Sequence, residues 1–339
     1  MRVFLTGGSG FVGQHLIHRL RSGGHTVTAL ARSDAGVRKV AEAGAEPVRG
    51  DLTEPAGPEG PAVPAAWPDH LHEADAVVHA AARTGCWGDD AGFRTDDHDP
   101  TVALYEAAAR AGVSRFVLIS AAGVSIGTQR APLVDEDTDN GTAATACHRV
   151  KLATENALRG AASAGMTLVI LRPPLVWGPG PASLADAVRI AGTGRWLWID
   201  DGRHIMDFVH VGNLADAVVL SLTRGRHGAP YYVTDGAPLP VRDFYTGFLG
   251  ARGVDVSAAR SVPRAVAAPV AALVDGGARL LRRPTPPPVT NWLVATMSRD
   301  RTYDIGAARA DLGYRPRITF HAGLQEMTPR RTGAAHGTR

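Results

Sequence analysis

Two hydrophobic periods alternate along roughly the first 170 residues. Short apolar runs rich in β-branched residues occur at Arg2–Leu5, His25–Ala31, Glu46–Val48, Ala74–His79, Arg115–Ser120 and Thr167–Leu171, and these read as strands. Between them the apolar positions recur every three or four residues. Gln14–Arg21 gathers Leu16, Ile17 and Leu20 on one face, and Ala35–Ala43, Thr101–Ala111 and Thr145–Ala164 read as further helices. Strands alternating with helices predict an α/β fold with a Rossmann-type, doubly wound parallel sheet. The stretch holding Pro55, Pro58, Pro61, Pro64 and Pro68 is too rich in proline for regular structure.

Beyond Arg172 the alternation lapses. Pro173, Pro174, Pro179 and Pro181 interrupt it, and Arg195–Ile199, Phe208–Val211 and Tyr231–Thr234 are only short strand-like runs. The expected organisation is a dinucleotide-binding unit over 1–172, to which 205–235 returns. A smaller mixed substrate-binding and lid region spans 173–204 and 236–325, and 326–339 reads as a disordered tail. No internal repeat is visible.

The strongest local signal is MRVFLTGGSGFVG. A strand runs straight into Gly7, Gly10 and Gly13, with Phe11 and Val12 opening a helix. That succession suits a dinucleotide pyrophosphate: glycines let the backbone approach, and a helix N-terminus presents free N–H groups and a positive dipole.

Composition narrows the function classes. With 45% hydrophobic and 20% charged residues the chain is an ordinary globule. Its 36 basic and 33 acidic side chains nearly balance, which argues against nucleic acid or a membrane surface as partner. The partner expected is a small molecule, with the protein a monomer or homodimer. Cys86 and Cys147 are the only cysteines and have no metal-ligand spacing, so neither a disulfide framework nor a metal site is expected. A strand starting at residue 2 leaves no room for a signal peptide, and no apolar run reaches about 18 residues, so a cytoplasmic protein is expected.

In order, TGGSGFVG, GDLT at Gly50–Thr53, HAAA at His79–Ala82, the strand ending at Ser120, Lys151 on a long helix, and LRPPLVWGPG at Leu171–Gly180 resemble an extended short-chain dehydrogenase/reductase. Together with Trp198–Ala217, they resemble the branch holding NAD-dependent epimerases/dehydratases and 3β-hydroxysteroid dehydrogenases, over roughly residues 1–320. The resemblance implies Asp51 and Leu52 near the adenine, and Ala80, Ala81 and Pro173 along the ribose and nicotinamide. No carboxylate ends the second strand, where Arg32 stands instead. A permanent planar cation there suits the 2′-phosphate of NADPH.

The family's working unit is a Tyr four residues before a Lys, with a Ser or Thr after the fifth strand. Here Lys151 is present, Cys147 stands where the Tyr would, Ala121 takes the hydroxyl position with Ser120 one residue earlier, and Asp97 and Pro100 replace an Asn and a Gly. The implied catalytic set is Lys151, Ser120 and Cys147. Three readings compete. A ketoreductase could take its proton from substrate or water, Cys147 could act as the acid, or the chain could be an inactive NADP-binding regulator. The first resembles atypical ketoreductases of aromatic polyketide (angucyclinone, simocyclinone-type) tailoring in antibiotic biosynthesis. A non-redox epimerase, dehydratase or lyase is the enzymatic alternative.

Other residues carry two readings each. His148 reads as packing rather than base; Cys86 and Trp87 could line the pocket or only pack their loop. Trp177, Trp196 and Trp198 could stack a flat substrate or form core. Asp207 and His210 read as structural. Pro263–Trp292 is a candidate lid or a peripheral helix pair.

Overall fold

The computed structural model describes residues 1–53, 67–125, 133–134, 143–162 and 165–328. The proline-rich loop from Pro55 to Pro64, Gly127 and residues 329–339 lie outside the described residues; the tail expected from 326 begins later, because Glu326 and Met327 close the last helix. Seven strands form one parallel sheet: β1 (Arg2–Thr6), β2 (Thr26–Ala31), β3 (Glu46–Arg49), β4 (Ala76–His79), β5 (Arg115–Ile119), β6 (Thr167–Arg172) and β7 (Pro230–Tyr232). Their order is β7-β6-β5-β4-β1-β2-β3. The order reverses between β1 and β4, where Thr6 pairs with His79. A crevice opens beyond the strand ends at such a switch point, and ligands of open α/β sheets bind there.

Helices cover both faces. On one, Leu16, Ile17 and Leu20 of α1 (Phe11–Ser22) are buried with Leu214, Ala217 and Val218 of the Val211–Ser221 helix. On the other lie Leu104, Tyr105 and Ala108 of the Asp99–Arg110 helix and Leu158 of the Ala146–Gly160 helix. In chain order these helices are α1, α2 (Asp34–Glu42), α3 (Asp99–Arg110), α4 (Ala146–Gly160) and α5 (Val211–Ser221). The apolar face read from the sequence for α1, Leu16, Ile17 and Leu20, is the face that packs.

Start signals place α2 and α4. Ser33 caps α2, its hydroxyl accepting the Gly36 N–H at 3.1 Å. Thr145 caps α4 by accepting the His148 N–H. Each cap satisfies a backbone donor that the helix cannot.

After β6 the chain builds a second core around α6 (Val241–Ala251). Phe244 stacks on Phe208 with ring centroids 3.6 Å apart, and Trp177 meets it edge-on at 5.7 Å. Trp196 and Trp198 are buried beside them, and the indole N–H of Trp198 donates to the Val256 carbonyl. The three tryptophans therefore form core, and the stacking platform for a substrate is not built from them. Three further helices follow: α7 (Arg264–Leu280), α8 (Asn291–Met297) and α9 (Phe320–Met327).

Candidate active site

The glycine turn is shaped by close approach. A Cβ on Gly13 would lie 2.0 Å from the Gly7 carbonyl oxygen, and one on Gly7 2.7 Å from the Ala80 backbone. Gly7 also has φ +75, where side chains are strained. Both positions must stay bare for α1 to begin against β1 and β4. In front of them opens a groove of about 590 Å³, lined by Gly7, Gly10, Phe11, Val12 and Gly13 at one wall and by Arg32, Asp51, Leu52, Ala80 and Ala81 along its length. Its N-terminal helix dipole, bare backbone and size fit an NAD(P) dinucleotide.

At the β2 end of the groove the Arg32 guanidinium is largely exposed, 3.7 Å from the Asp51 carboxylate. Asp34, the nearest following acid, is turned to Arg49. The region therefore presents a largely exposed cation paired loosely with Asp51, the capping Ser33 hydroxyl and the start of α2. This group could hold a phosphate; Ser33 was the member that the motif pattern did not single out.

At the other end, below the switch point, lies a recess of about 20 Å³ lined by His79, Asp97, Thr101, Ser120 and Lys151. That is room for about one water. His79 is fixed by a chain of hydroxyls. The Thr101 hydroxyl donates to the Asp97 carbonyl, so it accepts from His79 Nε2 at 2.9 Å. The opposite nitrogen then accepts from the Thr6 hydroxyl at 2.8 Å, and Thr6 Oγ1 accepts the Ala81 N–H at 3.2 Å. Every donor has an acceptor with the ring neutral. Burial, and after it the Lys151 charge, push His79 down to about 3.

Lys151 is half-buried in the recess wall. Burial holds its ammonium below the ordinary value, while Asp97 and Glu155 pull the other way. Asp97 itself accepts the Arg83 N–H at 2.7 Å. One helical turn beyond Lys151, Glu155 is fully buried. It accepts the Ser120 hydroxyl at 2.5 Å, Arg172 at 2.6 Å and Arg159 at 3.0 Å. The proton of Ser120 is thus turned away from the recess. The sequence reasoning passed over Glu155, although its i, i+4 spacing from Lys151 was a usable signal.

The structure overturns two expectations at Cys147. Its sulfur is bonded to that of Cys86, with the two Cα atoms 5.2 Å apart. There is therefore a disulfide where none was expected, and Cys147 holds no thiol proton to give. The loop after β4 folds back onto the start of α4, and this brings together residues 61 apart in sequence. A nitrogen of His148 lies within 4.8 Å of both sulfurs, yet bonded sulfurs are not thiolate ligands. A disulfide endures in oxidising surroundings and is rare in a reducing cytoplasm, so the bond sets a chemical condition on a cytoplasmic location.

His148 is buried, bonded to Thr145 Oγ1 at 2.8 Å and set against the Trp292 ring at 6.0 Å. Burial, then Lys151 and Arg301, push it down to about 4. Arg301 is buried too, with its Nη1 unpaired among the described residues. Asp207 and His210 do structural work, as expected: Asp207 accepts the Tyr303 N–H, and His210 caps α5 through the Gly212 N–H. Pro173 accepts the Ala122 N–H at 2.8 Å, which ties the end of β6 to the segment after Ser120.

Comparison with known proteins agrees with this geometry. Residues 3–233 match the model of the NAD dependent epimerase/dehydratase family. The chain is 32% identical over 332 residues to a 4-hydroxy-2-methyl-3-oxo-4-farnesyl-3,4-dihydroquinoline-1-oxide ketoreductase of Stigmatella aurantiaca, 96% of each chain being covered. It is 30% identical to a 2-alkyl-3-oxoalkanoate reductase of Stenotrophomonas maltophilia, over 96% of this chain and 98% of that one. A dTDP-glucose 4,6-dehydratase of Streptomyces venezuelae, solved with NAD, shares the fold with a TM-score of 0.73 at 24% identity, over 96% and 95% of the two chains. The chain belongs to the NAD dependent epimerase/dehydratase family, the extended short-chain dehydrogenases/reductases. Within it, the chain is an NAD(P)-linked oxidoreductase in which Cys147 stands four residues before Lys151.

Proposed function

We propose that this protein is an NADPH-dependent ketoreductase of a bulky, polycyclic, aromatic-polyketide-like ketone, working without a catalytic tyrosine. The observation that carries this reading is a groove of dinucleotide size that adjoins the Lys151 recess through His79, Ala81, Asp97 and Thr101, with Cys147, four residues before Lys151, held in a disulfide. When bound, the cofactor supplies a hydride to the carbonyl carbon. Gly7, Gly10, Phe11, Val12 and Gly13 hold the pyrophosphate, Arg32 the 2′-phosphate, Asp51 and Leu52 the adenine side, and Ala80, Ala81 and Pro173 the nicotinamide side.

Lys151 holds the nicotinamide ribose and keeps positive charge beside the carbonyl oxygen. Ser120 acts only through Glu155, because its proton is already committed there. The carbonyl oxygen then takes its proton from a substrate phenol or from water. Holding donor and acceptor in register contributes about 7–11 kcal/mol on its own, so turnover survives the loss of a general acid. The recess admits little more than a water, so the bulk of the substrate lies outside it, toward the Cys86–Trp87 loop and α8. There Arg301, buried with an unpaired Nη1, fits an acidic oxygen on the ring system. The names of two relatives, a farnesyl-dihydroquinoline-oxide ketoreductase and a 2-alkyl-3-oxoalkanoate reductase, support ketone reduction as the reaction type.

The test is titration with NADPH and NADH, then transfer from 4-deuterated NADPH to a panel of polycyclic aryl ketones. Tighter NADPH binding with deuterium in the product is the expected result. Binding without transfer would overturn the ketoreductase reading in favour of an NADP-binding regulator or a non-redox enzyme.

A further inference from the structure

Helix α7 is packed inside out. The side chains it buries are Ala267, Ala271, Asp275 and Ala278, one narrow stripe of small residues around a single acid. Its large aliphatic residues face outward: Val266, Val270, Leu273 and Val274, then Leu280 and Leu281 beyond, spaced as one helical face. Leu273 is 77% exposed and Leu280 85%. These six account for six of the eight exposed large hydrophobic side chains among the described residues. A contiguous outward apolar stripe of this kind marks an interaction surface.

Charge narrows the partner. Between residues 260 and 283 stand Arg260, Arg264, Arg279, Arg282 and Arg283, against one acid, Asp275. That acid is buried and already committed, accepting Arg279 Nε at 2.7 Å and the Asn291 N–H at 3.0 Å. Two copies of α7 laid together would bring Arg282 and Arg283 against further arginines, the helix's own acid being buried; the nearest acid at its N-terminal end is Asp200, which accepts the Arg264 N–H. An anionic surface meets both the apolar stripe and its basic surroundings. The near-balanced charge of the whole chain hides this local excess.

We infer that α7 docks the protein on an anionic lipid surface. Seventeen residues of helix span about 25 Å, short of the roughly 30 Å hydrocarbon core, and Pro269 lies within them. No helix of the described residues is long and apolar enough to cross a membrane. The helix therefore lies flat, its aliphatic face in the headgroup boundary and Arg282 and Arg283 at its end among the phosphates. Its C-terminal end is tied to the loop after β4: the Trp87 indole N–H donates to the Arg283 carbonyl at 2.9 Å, and Arg279 sits 4.6 Å over the Trp87 ring.

Co-sedimentation of the full chain with phosphatidylcholine vesicles, with and without phosphatidylglycerol, tests the inference. Binding to the phosphatidylglycerol vesicles that weakens at high salt is expected. Leu273→Gln with Leu280→Gln should weaken it by about tenfold or more. Arg282→Ser with Arg283→Ser should cost about fivefold per arginine and erase the preference for anionic vesicles. Both pairs are exposed, so unchanged circular dichroism and NADPH affinity serve as folding controls. Two results would overturn the inference: no binding to either vesicle, or a dimer by light scattering that Leu273→Gln dissociates while vesicles stay unbound.

Discussion

The two ends of one cleft obey different constraints. At the β2 end, the glycine turn is fixed by backbone packing: Gly13 faces the Gly7 carbonyl, and Gly7 faces Ala80. Nothing there depends on which reaction is run. At the β5–α4 end, the side chains that would move protons are tied elsewhere, Ser120 to Glu155 and Cys147 to Cys86. Of the three residues expected to be catalytic, Lys151 alone keeps its charged group free at the recess wall. Cofactor binding and proton chemistry are thus separable in this fold, and one can be intact while the other has been rebuilt.

The sharpest way to break that comparison is at Lys151. Lys151→Met should lower reductase turnover by about 10²-fold or more, the range of a lost electrostatic stabiliser at a developing oxyanion, and also weaken NADPH binding. Single-turnover kinetics at saturating cofactor separates the two losses. Unchanged turnover would mean that the recess is not the reaction site.

At the opposite end, Gly13→Ala forces a Cβ onto a carbonyl oxygen. Overpacking of this kind costs about 1–3 kcal/mol, so NADPH affinity should fall roughly ten- to a hundredfold while the sheet remains by circular dichroism. Arg32→Ser should act more selectively. It should cut the preference for NADPH over NADH by about tenfold, the value of a charge-assisted hydrogen bond, and leave NADH affinity unchanged. Equal loss for both cofactors would place Arg32 away from the 2′-phosphate.

Cys86→Ser should reduce stability by about 2–4 kcal/mol in non-reducing denaturant titration and leave hydride transfer in place. Transfer abolished by Cys147→Ala yet retained in Cys86→Ser would restore the sulfur to the chemistry.

The smallest effect is the pH dependence of stability. Burial holds His79 at about 3 and His148 and His210 at about 4, all below the ordinary value of 6.5. Their contribution is whole above about 6.5 and is lost as the pH falls toward 4, because unfolding then takes up protons. Asp207 and Asp235, raised by burial to about 6, work in the opposite direction, because their protonated forms favour the folded state as the pH falls through 6. Three histidines against two aspartates leave a net loss on acidification, which thermal melts across this range would register.

What was legible in the sequence was local. Strand runs, helix faces and the glycine turn lie within a dozen residues of one another, and periodicity reports them directly. Lys151 could be read because its helix and the β5 end hold it in a fixed frame. The pairing of Cys86 with Cys147 could not be read, because it depends on how a loop after β4 folds back on α4. The tryptophans were ambiguous for a different reason: a buried aromatic and a binding platform have the same composition, and only the packing around Phe244 tells them apart. Whole-chain charge, being an average, also concealed the basic surroundings of α7.

The bridge between Cys86 and Cys147 has a topological consequence. It closes a covalent ring that runs from the loop after β4 through α3 and β5 into the first turn of α4. Lys151 lies just outside that ring, while Asp97, Thr101 and Ser120 lie on it. A protease cutting the backbone once between residues 87 and 146 would open the ring without parting the molecule. The same single cut elsewhere would yield two pieces in denaturant. One wall of the cleft is therefore a closed loop of chain and the other an open one, which a mass measurement on nicked protein with and without reductant would distinguish.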